Sequence, residues 1–95
     1  MVIYKVFFMK YKEAWFKLSE KEQNELMRKS LENLEKLRAK SILICMSYWS
    51  NEEWAGFGVE EFPDIDAVQK HAQFCLDQGW LKYIESKTYL GTRYP

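Results

Sequence analysis

At 95 residues the chain has room for one core, so a single domain over 1–95 is expected. Fourteen basic side chains balance fourteen acidic ones, which leaves no excess charge to neutralise a phosphate backbone and argues against a nucleic-acid partner. No stretch approaches the ~20 apolar residues of a membrane span, and Cys45 and Cys75, far apart in apolar runs, fit buried thiols in a reducing compartment, so the cytoplasm is the expected location.

Val2 to Met9 reads as a strand that is greasy on both sides, since Val2/Tyr4/Val6/Phe8 and Ile3/Phe7/Met9 alternate and Lys5 is its lone charge. It lacks the preceding basic region and the following small-residue cleavage site of a signal peptide. A connection from Lys10 to Leu18 carries Trp15 and Phe16. Ser19 with Glu22 three residues on forms a capping-box signature, and Leu26, Met27, Ser30, Leu34 and Leu37 make a helical stripe, which predicts a helix over about 19–40. Glu25/Lys29 and Glu32/Lys36 are spaced to pair on its exposed side. Ile42 to Trp49 and Trp54 to Val59, joined by the turn-forming Ser50-Asn51-Glu52-Glu53, predict a hairpin. Pro63 ends the third strand, and Asp64 caps a helix bearing Ile65, Val68, Ala72, Cys75 and Leu76 on one face until Gly79. Tyr83 to Leu90 alternates as a fourth strand.

The order βαββαβ predicts a ferredoxin-like α+β sandwich, an antiparallel sheet in the order 4-1-3-2 with both helices on one face. Assigning charge to the uncovered face puts Val2/Tyr4/Val6/Phe8, Ile42/Ile44/Met46/Tyr48, Phe57/Val59 and Ile84/Ser86/Thr88/Leu90 under the helices. Ile3/Lys5/Phe7/Met9, Leu43/Cys45/Ser47/Trp49, Trp54/Gly56/Gly58/Glu60 and Tyr83/Glu85/Lys87/Tyr89 then make an open face on the order of 400 Å². An aromatic-rich face of that size calls for a cover, and a second copy of the chain is the expected one.

The element order resembles the dimeric α+β barrel superfamily, with its antibiotic-biosynthesis monooxygenases, YCII-related and darcynin-like proteins. Trp15-Phe16-Lys17-Leu18-Ser19 followed by Glu22 is similar to the phrase that opens the first helix in darcynin-like members, with Gln23 where an arginine is usual. Phe62-Pro63-Asp64-Ile65-Asp66-Ala67-Val68 resembles the opening of their second helix. The resemblance implies a homodimer paired through its sheets, with a pocket for a small molecule and chemistry ranging from cofactor-free oxygenases to haem enzymes.

His71, the only histidine, is the candidate catalytic residue, a general base or haem ligand lying one turn from Val68 and from Cys75. Lys5, Trp49, Glu60, Tyr83 and Glu85 are the candidate ligand-binding residues on the open face, with Lys5 and Glu85 placed to pair across strands. No metal site is expected and no cofactor is required by the residues, although the resemblance keeps haem in view. The competing readings are a non-enzymatic interaction module and an RNA-recognition-motif-like binder. The second rests on Ala55-Gly56-Phe57-Gly58-Val59-Glu60-Glu61-Phe62, which is similar to that motif's central octamer but lacks its basic residue and second stacking ring.

Overall fold

The computed structural model describes all 95 residues. Four strands, β1 (Ile3–Tyr11), β2 (Lys40–Met46), β3 (Gly56–Phe62) and β4 (Ile84–Gly91), form one antiparallel sheet in the order β2-β3-β1-β4. Three helices join them, α1 (Glu13–Phe16), α2 (Glu20–Lys36) and α3 (Ile65–Asp77), and a 3-10 turn, Trp80–Lys82, precedes β4. This is the ferredoxin-like α+β sandwich that the element order predicts. Neither the one-turn helix α1 nor the 3-10 turn has a periodic signal in the sequence, because both are too short to repeat a face.

Local chemistry sets the helix limits. Ser19 accepts from the Glu22 amide and Glu22 accepts from the Ser19 amide, so the capping box closes as its spacing requires. Gln23, standing in place of the usual arginine, donates to the Trp15 carbonyl. The helix ends at Lys36, short of the predicted residue 40. Arg38, at φ 60°, turns the chain, and Ala39 and Arg38 donate back to the Leu34 and Glu35 carbonyls. On the exposed side Arg28 bridges Glu25 and Glu32, replacing the pairs expected for Lys29 and Lys36. Asp64 caps α3 by accepting from the Ala67 amide, and Gly79, at φ 82°, ends its exit turn.

The core lies between the helices and one end of the sheet: Leu34, Ala39, Phe62, Ala67 and Val68, with Ile3 and Leu37 packed against them. Ile3 pairs with Phe62 in register, so the helices cover Ile3/Lys5/Phe7/Met9 of β1 and Gly56/Gly58/Glu60/Phe62 of β3. This reverses the faces expected for these two central strands, while Ile44 and Met46 of the β2 set and Ile84/Ser86/Thr88/Leu90 of β4 lie on the helix side as read; Ile42 falls in the β2 irregularity and Tyr48 beyond the strand's end. The cause is Lys5 and Glu60. They sit directly opposite one another and neutralise each other, so a covered face carries charge. Gly58 belongs to the same face because the Phe7 ring occupies its side-chain space, where an added Cβ would lie 2.5 Å from the ring.

The opposite face has no helix over it. Tyr4, Val6 and Phe8 of β1 run beside Phe57 and Val59 of β3, Leu43 and Cys45 of β2, and Tyr89 of β4. Phe8 packs between Phe57 and Trp54, each at 6.2 Å between ring centres, and Lys10, Lys87 and Arg93 lie over the rings of Trp54, Tyr89 and Tyr4. The sheet is therefore apolar on both sides, through a different set of residues from the one expected.

Candidate functional site

The sheet–helix layer encloses a cluster of polar side chains. Lys5 Nζ lies 3.5 Å from Glu60 Oε1, and Glu60 is only 8% exposed. That separation makes an ion pair without a hydrogen bond, and Glu60 Oε1 has no hydrogen-bond partner. Burial raises the Glu60 carboxyl above its ordinary range and the Lys5 ammonium pulls it back only in part.

His71, on α3, lies in the same layer within reach of the Lys5 charge and is 2% exposed, a core residue where the sequence places it at the edge of the apolar stripe. Its Nδ1 is 2.9 Å from Asn33 Nδ2 on α2, and its Nε2 is 3.6 Å from Cys75 Sγ one turn along α3. Phe62 and Phe74 flank the ring at 5.9 and 6.5 Å. Burial, with a smaller push from Lys5, lowers the imidazole to about 4, so it is neutral near pH 7. Burial pushes the Cys75 thiol up, against smaller opposing effects of Lys5 and Ser30. A neutral imidazole beside a neutral thiol is not the ion pair that activates a cysteine nucleophile. The contact instead ties α3 to itself, while Asn33 ties α3 to α2.

Of the six residues singled out in the sequence, Lys5, Glu60 and His71 fall in this buried layer, the first two in contact. The other three do not. Glu85 pairs with Lys10 on the open face rather than with Lys5, because β4 sets Glu85 opposite Lys10 and Leu90 opposite Lys5. Trp49 lies in the loop after β2, 77% exposed, its indole N–H donating to the Met46 carbonyl. Tyr83 packs edge-on to Trp15 at the end of the sheet, and its carbonyl accepts from the Lys12 amide. Asn33 and Cys75 complete the cluster. The spacing of Cys75 from His71 is readable on a helix, but Asn33, 38 residues away, carries no sequence signal. No group of three or more metal-ligating side chains is assembled, and no helix is long and apolar enough to cross a membrane.

No family model and no curated protein matches the sequence. Solved structures do match in shape. A mutant chlorite dismutase from Candidatus Nitrospira defluvii superposes with a TM-score of 0.76 at 8% identity, over 99% of this chain and 41% of that one. A haem-binding protein from Thermus thermophilus superposes with a TM-score of 0.75 at 17% identity, over 95% of this chain and 39% of that one. The chain thus spans about two-fifths of the length of these structures. Identities this low establish the ferredoxin-like α+β fold and nothing finer. The darcynin-like, YCII-related and monooxygenase-like affiliations find no support among these matches, and neither does the expectation that no cofactor is involved.

Proposed function

We propose that this chain binds a small, partly apolar molecule in its sheet–helix layer, at Lys5, Glu60 and His71, working as a face-to-face pair of copies in a reducing cytoplasm. One observation carries the reading: an ion pair withdrawn from water, whose carboxylate Oε1 has no hydrogen bond, in the same layer as a buried neutral imidazole on which Lys5 acts. Such a pair is weak as a source of stability, and perturbed titratable groups gather where ligands are handled. Phe62 and Phe74 supply flat apolar walls around His71, and Phe7 lies beside Lys5. The ligand class is a small planar molecule with one O–H or N–H donor for Glu60 Oε1, which has the Lys5 ion pair but no hydrogen bond. In the enzymatic form of this reading, cofactor-free oxygenase or isomerase-like proton chemistry, Glu60 takes the base role that the sequence suggests for His71. Its carboxyl is raised, whereas an imidazole near 4 is a weak base.

Haem enters through the neighbour that binds it. His71 has the donor chemistry of an axial ligand. The space around it does not suit a porphyrin: Asn33 and Cys75 engage both ring nitrogens, Phe62 and Phe74 flank the ring, and Phe7 fills the gap over Gly58. No step is therefore assigned to haem.

The second copy covers the open face. Lys10, Lys87 and Arg93 there are matched by Glu85, Glu53 and Glu61, a balance that suits a self-complementary contact and opposes a polyphosphate.

A calorimetric and thermal-shift screen of small phenols, enols and amides, with haemin alongside, tests the reading. A hundredfold excess over Kd should raise Tm by on the order of 10 °C, and Glu60→Gln should abolish the response. A library without effect, or a response indifferent to Glu60→Gln, would overturn it. A His71-dependent Soret band would replace the ligand class with haem.

A further inference from the structure

We infer that the β2 edge is a second self-association surface, on which two copies pair their β2 strands antiparallel about a two-fold axis. The two edges of the sheet differ in the way that decides such pairing. β4 alternates Glu85 and Lys87 along its length, charges that discourage edge-to-edge addition. From Ser41 to Met46, β2 carries no charge and no proline, and its outer backbone groups have no strand beside them. A bulge between Ser41 and Leu43 twists only the start of the strand and leaves Leu43–Met46 regular.

The side chains around this edge are uncovered as well. Ile44 and Met46 point to the helix side, yet both are more than half exposed. Ile42, Tyr48 and Trp49 continue the apolar strip beyond them. The loop that presents the two rings is built rather than loose. Ser47 Oγ donates to the Trp54 carbonyl, Asn51 Oδ1 accepts from the Glu53 and Trp54 amides, and the Trp49 indole is fastened to Met46. Aromatic anchors held in place before contact are what a stable interface uses.

Two arguments select a copy of this chain as the occupant. A depression of about 400 Å³ opens between α2 and the start of β2, and its charged rim, Arg28 and Lys40 against Glu32 and Glu35, carries both signs, which suits a self-complementary contact. The open sheet face, on the order of 400 Å² per copy and so about 800 Å² for a face-to-face pair, also falls short of the ~1,200 Å² total at which stable interfaces begin. A second contact joining face-to-face pairs supplies the remainder. The inference extends the proposed face pairing but does not need it, since an edge pair alone is a dimer.

Sedimentation equilibrium of the full chain and two variants, Ile44→Lys for the edge and Val6→Lys for the face, separates the contacts. The wild type should sediment as four copies, Val6→Lys should halve the mass by leaving edge-joined pairs, and Ile44→Lys should lower it to half or less. If only Ile44→Lys lowers the mass, from two copies to one, the edge stands and the face pairing falls. An unchanged mass in a folded Ile44→Lys variant overturns the edge. Hydrogen exchange on the wild type reads the same contact without a substitution: alternate β2 amides should gain protection as concentration rises, and amides that exchange freely at every concentration contradict it.

Discussion

His71 and Glu60 pull stability in opposite directions as pH changes. The His71 imidazole ordinarily titrates at 6.5 and is lowered to about 4 in the fold, so its contribution is intact above 6.5 and drains away as pH falls toward 4. That difference is worth roughly 3 kcal/mol at the acid end. Glu60 is raised, so its contribution is full below its ordinary 4.5 and fades as pH rises through the folded value. Urea unfolding of the wild type and His71→Phe should therefore diverge: between pH 7.5 and pH 4 the wild type loses about 3 kcal/mol more than the variant. Parallel curves would mean that the imidazole is not held neutral by its surroundings. The same two residues explain what the sequence concealed. A charged pair at opposed positions on adjacent strands looks like a solvated face when each strand is read alone. Only the register, which sets Lys5 opposite Glu60, reveals that the two charges face each other under the helices.

Among the elements, those with a chemical start signal were legible. Ser19 with Glu22, and Asp64 before its apolar stripe, mark helix starts that the structure keeps. The end of α2 was not legible, because the left-handed turn that glycine usually marks is made by Arg38. A side chain in that conformation carries a cost of about 1–2 kcal/mol, part of which glycine returns through unfolded-chain entropy. Arg38→Gly should accordingly stabilise the protein by up to about 1 kcal/mol, read as a higher urea midpoint at unchanged slope. Destabilisation would show that the Arg38 side chain contributes more than its backbone geometry costs. The sheet order was readable from the element order, since two helical crossovers and one hairpin leave few un-knotted arrangements. The layer partners of His71 were not, because Asn33 approaches it from a different helix through tertiary packing alone.

For the whole molecule, two features coexist: a polar cluster sealed between sheet and helices, and an apolar sheet face with nothing over it. The first is the proposed binding site and the second the proposed means of assembly. Because the chain spans about two-fifths of its structural neighbours, the activity of any longer protein does not pass to it by fold. The central claim concerns the cluster, and the chain's single histidine allows it to be tested on one ring. Following the His71 imidazole by NMR across pH, free and with the strongest ligand from the screen, the account expects a midpoint near 4 in the free protein and ring resonances that move on saturation. A midpoint near the ordinary 6.5, with resonances that ignore the bound ligand, would contradict it.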